Sequence, residues 1–223
     1  MKISKLTKLI LIMSLSTPAI SMDGIWNGVF DINGNGSYDF TGLISKNKAT
    51  AYTQKAKVIY DGKIEKTENI ITWRLQMYLK DGTKFGTATI KCSIINENIM
   101  SGKWVTEPAK DYGNIYLVKF KKNEIESAGN IINRDWSSKK NKIKHNISIK
   151  ENKIFGKDAN NCNYYGDIKK LNEKIYFVGI EIASCGPSDG FYTGMAHIRK
   201  INGENNLIIN ATNKNFSFFL NLH

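Results

Sequence analysis

Apolar and polar residues alternate with a period of two along most of this chain. Tyr38, Phe40 and Gly42 interleave with Asp39 and Thr41, and Ile70 to Leu79, Phe85 to Ile94, Ile99 to Val105 and Ile115 to Phe120 continue the pattern. In the second half Ile143, His145, Ile147 and Ile149 alternate with Lys142, Lys144, Asn146 and Ser148, and Phe216, Phe218, Leu220 and Leu222 form a last apolar face. Period two places alternate side chains on opposite faces of a strand. Asp61-Gly62 and Asp81-Gly82 read as turns between such segments. No capped run with a 3.6-residue repeat is long enough for a helix, and only 3 prolines interrupt the pattern. An all-β chain of antiparallel barrels, or barrel-like sandwiches, is predicted.

The pattern also repeats. Tyr38-x-Phe40-x-Gly42-x-Ile44 aligns with Cys162-x-Tyr164-x-Gly166-x-Ile168 at an offset of 124, whereas Gly86-x-Ala88-x-Ile90 aligns with Gly194-x-Ala196-x-Ile198 at 108, together with Ile99 and Leu207. The difference implies longer strands or turns in the first copy. Two tandem lobes are therefore expected, at 22–121 and 142–223, joined by a polar linker at 122–141. Trp26, on the first strand of the first lobe, is placed to plug the closed end of a small barrel.

Two alternating arms, Cys162 to Leu171 and Ile175 to Ala183, flank a polar turn at Asn172-Glu173 and predict a hairpin. If Leu171 faces Lys174, Cys162 falls near Ala183, and one bulge or a two-residue offset brings Cys185 within disulfide reach. A Cys162–Cys185 bridge leaves Cys92, which reads as a buried, inert thiol. Tyr38 would then stand in the first copy where Cys162 stands in the second.

Charge and the first residues bear on location. Lys2, Lys5 and Lys8 precede Leu9 to Met13, with small residues at Ala19 and Ser21, so residues 1–21 read as a cleaved signal peptide. No later segment is apolar enough to span a bilayer as a helix, which predicts a soluble periplasmic or extracellular protein. Removing the first 21 residues lowers the formal net charge from +12 to +9. A basic surface suits an anionic envelope component or a protein partner. Arginine occurs only as Arg74, Arg134 and Arg199, which argues against nucleic acid, where the bidentate guanidinium is favoured.

Candidate chemistry is sparse. Asp31, Asn33, Asn35 and Asp39, with Gly36 at the sixth position, match the front of a calcium loop, but Gly42 stands where a bidentate glutamate belongs. Asn33-Gly34 is also a strong hairpin turn, and that reading is preferred. Gly186-Pro187-Ser188-Asp189-Gly190 reads as a turn rather than a serine site. His145, His197 and His223 show no metal spacing, and no phosphate loop, nucleophile elbow or dinucleotide fingerprint occurs. No cofactor and no enzymatic activity are predicted.

The set Cys162-x-Tyr164-x-Gly166, Tyr176, Cys185 and Tyr192-x-Gly194-x-Ala196 resembles a pattern in small exported bacterial β-barrel proteins and lipoproteins. The resemblance covers about forty residues and implies a compact disulfide-bearing barrel. Its residues are structural, so no site carries over. The absence of a lipid-attachment cysteine at the cleavage point departs from the lipoproteins. The resulting expectation is a binding protein for a protein or envelope component, possible forms including an inhibitor of a secreted hydrolase. A hollow-barrel carrier of small ligands, and an enzyme with an unrecognised cleft, are the alternatives.

Overall fold

In the computed structural model, residues 21–79, 81–120, 132–138 and 143–223 are described. The expected signal peptide up to residue 20, most of the expected linker and Lys139 to Lys142 lie outside them. The first lobe comprises β1 (Gly24–Ile32), β2 (Asn35–Ser45), β3 (Lys48–Tyr52), β4 (Val58–Thr67), β5 (Ile70–Leu79), β6 (Lys84–Asn96), β7 (Ile99–Glu107) and β8 (Tyr112–Lys119). The second comprises β9 (Asp135–Ser137), β10 (His145–Lys150), β11 (Lys153–Asp158), β12 (Asn163–Lys170), β13 (Ile175–Ala183), β14 (Gly190–Ile201), β15 (Glu204–Thr212) and β16 (Ser217–Leu222). Each set is an antiparallel meander of eight strands in chain order.

The first meander closes by pairing β1 with β8, from Trp26 opposite Lys119 to Phe30 opposite Ile115. In the second, the amide of Ser137 donates to the carbonyl of His223 and the reverse bond is also made, at 3.0 and 2.8 Å, so β9 meets the end of β16. Inward positions are filled by large side chains. Trp26, Phe40, Trp73 and Met100 are buried in the first lobe, as are Trp136, Tyr164, Tyr192 and Leu220 in the second.

The two lobes carry the same plug. The indole of Trp26 donates to the carbonyl of Met22 at 2.9 Å, and that of Trp136 to the carbonyl of Ile132 at 3.0 Å. Both pairs are four residues apart on the chain, and each indole lies under a cation: Lys119 over Trp26 and Arg134 over Trp136. Trp136 and β9 fall inside the stretch read as linker, so the second lobe takes in residues before 142. A three-residue strand is too short to show alternation, which is why the sequence hid it.

Topology also corrects the repeat. The Gly86 and Gly194 motifs lie on β6 and β14, the sixth strands of their lobes, whereas the Tyr38 motif lies on the second strand and the Cys162 motif on the fourth. The equivalent of Tyr164-x-Gly166-x-Ile168 is Tyr60-x-Gly62-x-Ile64 on β4, at an offset of 104. Geometry supports that match: a Cβ on Gly62 would strike the carbonyl of Arg74, and one on Gly166 the carbonyl of Gly179 on the corresponding fifth strand. Asp61-Gly62 is accordingly mid-strand rather than a turn; its glycine serves close backbone approach. Val58, not Tyr38, occupies the place of Cys162.

Cys162 and Cys185 are bonded, with Cα atoms 4.8 Å apart. The hairpin is one residue longer than expected, since Leu171 pairs with Ile175 and Asn163 with Ala183. Asn172 Oδ1 accepts from the amides of Lys174 and Ile175, making a three-residue turn. Ser184, at φ 63°, then swings Cys185 across to Cys162. Burial pushes the thiol of Cys92, inside the first barrel, up to about 12.

The barrels pack wall to wall. Ile25, Leu43 and Tyr52 of the first lobe cluster with Ile175, Met195 and Ile208 of the second, flanked by Phe120 and Phe219. These are the outward positions of their strands, so β14 and β15 are buried on both faces over much of their length.

Candidate functional site

The seam between the barrels holds polar groups as well as apolar ones. Tyr52 Oη lies 3.1 Å from His197 Nε2, with the two rings stacked at 6.1 Å. His197 is fully enclosed; desolvation, aided by the charge of Arg199, drives its pKa down to about 3, so the imidazole is neutral. Burial raises the phenol pKa of Tyr52, which is opposed by a hydrogen bond to Thr41 and by Arg199. Asn210 Nδ2 donates to the carbonyl of Ala51 at 3.0 Å and approaches that of Tyr60 at 3.5 Å. Tyr78 Oη donates to the carbonyl of Asn213, and the amide of Ser217 to the carbonyl of Gly82. Beside Asn210, burial raises the Asp61 carboxyl while a hydrogen bond from Thr212 and the charge of Lys48 hold it back. Directional bonds of this kind fix one relative placement of two surfaces, because misplacing them would leave buried polar groups unpaired.

Where the seam opens there is a cavity of about 570 Å³. One wall is the end of β3 and the loop after it, with Tyr52, Gln54 and Lys57; the other is the β14–β15 turn and the outer face of β15 and β16, with Asn202, Asn206, Phe219 and Asn221. Glu204, Ser138 and His223 reach its rim. The volume lies within the range of small-ligand sites, about 300–1,000 Å³. Phe219 leans on Tyr52 at 5.1 Å between ring centres, and Asn206 Nδ2 is tied to the carbonyl of Glu204. A second depression of about 550 Å³ runs along β1, β7 and β8 past Val29, Lys103 and Tyr116.

None of the sequence candidates lies in the cavity. Asn33 and Gly34, at φ 53° and 77°, form the β1–β2 turn, with Ile32 opposite Asn35. Asp31 accepts from the amides of Gly34 and Asn114 and from the Asn114 side chain; the Asn114 amide is the main reason its carboxyl lies below the usual range. Asn33 bonds to Asp111 and Tyr112, while Asn35 donates to the carbonyl of Asn33. Asp39 instead caps the amides of Gln54 and Lys55 at 2.7 and 2.8 Å. The four residues thus serve a turn and two loop ends and do not converge. Gly186–Ser188 is a single 3-10 turn between β13 and β14, and the carbonyl of Ser188 accepts from Tyr192 Oη.

One cluster escaped sequence reasoning. Ser138 Oγ lies 3.4 Å from His145 Nδ1, and His145 Nε2 lies 3.8 Å from Asp158 Oδ2. Asp158 spends its oxygens on Tyr164 Oη and the amides of Asn160 and Cys162, and Ser138 Oγ accepts from the amide of His145. Desolvation lowers the pKa of His145, with Asp158 opposing it. The chain of contacts joins β10, β11 and β12 beside the disulfide. Asp158 also lies close to both cysteine sulfurs, but their bond occupies the thiolates a metal would need.

No protein-family model and no curated protein matches the chain. A solved structure of a proposed outer membrane protein from Bacteroides fragilis NCTC 9343 aligns over 90% of this chain and 96% of its own, at 11% identity and a TM-score of 0.31. Among the described residues no helix is long and apolar enough to cross a membrane.

Proposed function

We propose that the chain is an exported, non-catalytic binding protein that recognises a protein or cell-envelope component through the inter-lobe cavity. Blocking a secreted hydrolase would be one form of this activity. The observation that carries the reading is the position of the cavity: it lies between the outer walls of two barrels whose inward positions are filled by Trp26, Trp73, Trp136 and Tyr192. A hollow-barrel carrier needs the opposite arrangement. The Cys162–Cys185 bond supports an oxidising compartment. An enzyme reading would rest on Ser138, His145 and Asp158, whose hydrogen bonds are already committed to backbone and Tyr164.

Co-sedimentation with cell-envelope fractions tests the proposal. Gln54 and Asn221 are exposed, so Gln54→Arg with Asn221→Arg should narrow the cavity and leave the barrels folded. The wild-type chain is expected to be retained by the envelope fraction and the double variant released. Equal retention of both would place recognition elsewhere.

A further inference from the structure

We infer that the inter-lobe cavity takes a neutral oligosaccharide, an inference that rests on the cavity being the recognition site. Four carboxamides line it: Asn206, tied to the carbonyl of Glu204, and three from separate segments, Gln54 after β3, Asn202 in the β14–β15 turn and Asn221 on β16. Each presents a donor and an acceptor side by side. A sugar hydroxyl donates and accepts at once, so adjacent hydroxyls are matched by carboxamides better than by groups of a single polarity. Among the described residues the lining carries one lysine, Lys57, against one acidic side chain, Glu204, with His223 beside them, so these side chains do not select for charge. No arginine lines it; Arg134 stacks on Trp136 and Arg199 serves Tyr52. This excludes the bidentate clamp expected for a phosphate or carboxylate ligand. An acyl chain is disfavoured for the opposite reason, because it would strip water from the carboxamides and return no hydrogen bond.

The aromatic part of the lining is Phe219, whose ring is inclined at 55° to that of the buried Tyr52. The half-buried ring of Phe219 leans on Tyr52, and Tyr52 is held from behind by its contact with His197. One supported aromatic face of this kind suits the C–H face of a pyranose ring, leaving its equatorial hydroxyls to the amides at the edge. Asn202 sits at φ 53°, a left-handed backbone position that asparagine tolerates, which fixes the point from which its side chain leaves the turn. The loop after β3 and the β14–β15 turn are short and leave strands that are locked together through the seam, so little ordering is required on binding.

The full chain, isotopically labelled, would be titrated with cellotetraose, maltotetraose and chitotetraose while the side-chain amide signals of Gln54, Asn202 and Asn221 are followed by NMR. At least one sugar is expected to shift these signals saturably. Gln54→Ala combined with Asn202→Gly, which keeps the turn, should weaken that binding at least tenfold with the remaining spectrum unchanged. Sugar-induced shifts confined to another surface, or an unaffected double variant, would overturn the inference. If no sugar moves the three signals but an envelope polypeptide does, the oligosaccharide inference falls and the cavity remains the recognition site. If neither moves them, both fall.

Discussion

The two barrels solve the same closure problem with different means. The first has strands of up to 13 residues and joins its ends through a five-pair ladder between β1 and β8. The second has six-residue strands at β10 and β11, begins with a three-residue strand, and joins its ends through the reciprocal bonds of Ser137 and His223. The second is also the one with the disulfide. Shorter strands bury less apolar area and make fewer ladder bonds, and a covalent link compensates by restricting the unfolded chain. What the lobes keep in common is the tryptophan plug and the glycines of the fourth and sixth strands, the features that shape a small barrel rather than those that strengthen it.

The sharpest way to break the comparison is at the plugs. Trp26→Ala and Trp136→Ala should each cost about 3–5 kcal/mol in denaturant unfolding, the range for deleting a buried aromatic. If Trp136→Ala were nearly neutral while Trp26→Ala was severe, the plugs would not be equivalent. A second test uses acid. The folded pKa of His197, about 3, lies below its ordinary 6.5, so below pH 6.5 the unfolded chain takes up a proton that the native one refuses. Stability should therefore be full above pH 6.5 and fall by a few kcal/mol as the pH drops toward 3. His197→Gln should flatten that slope more than His145→Gln, whose shift has the same direction but belongs to the second barrel alone.

The staple comes next. Cys162→Ser with Cys185→Ser should lower stability by about 3 kcal/mol, given a sequence separation of 23 between the cysteines. Proteolysis should then open the second lobe first, and cleavage starting in β1 to β8 would contradict the asymmetry. The smallest effect is at the seam: Tyr52→Phe removes the contact with His197 and should cost about 1 kcal/mol. Calorimetry should show whether the loss separates the melting of the lobes. An unchanged single transition with unchanged midpoint would mean that apolar contact alone couples them.

Strand identity was legible in the sequence because alternation and turn residues carry it locally. The β12–β13 pair appears where Cys162 to Leu171 and Ile175 to Ala183 were read, and Asn33-Gly34 turns as its residue types require. Errors arose where a third residue intervened. Asn172 caps its own turn and so adds one position to it, and the glycine after Asp61 answers to a neighbouring carbonyl rather than to chain reversal. The plug of the second lobe was written as Ile132-x-x-x-Trp136, parallel to Met22-x-x-x-Trp26, a spacing that could have been found by comparing the tryptophans first. The cavity could not have been found. Its walls come from residues 52–59 and 201–223, brought together by outward faces that in an isolated barrel would meet water.

Burial of β15 on both sides has a consequence for how the molecule breathes. In a lone barrel each strand has one wall toward solvent, and local openings can admit water from that side. From Leu207 to Ala211 neither side is open: Leu207, Ile209 and Ala211 face the barrel interior, while Ile208 and Asn210 face the neighbouring lobe. Backbone amides there can exchange with deuterium only when the barrels part or the whole sheet unfolds. The slowest-exchanging amides of the protein should thus trace a strand that belongs to one barrel by sequence and to both by packing.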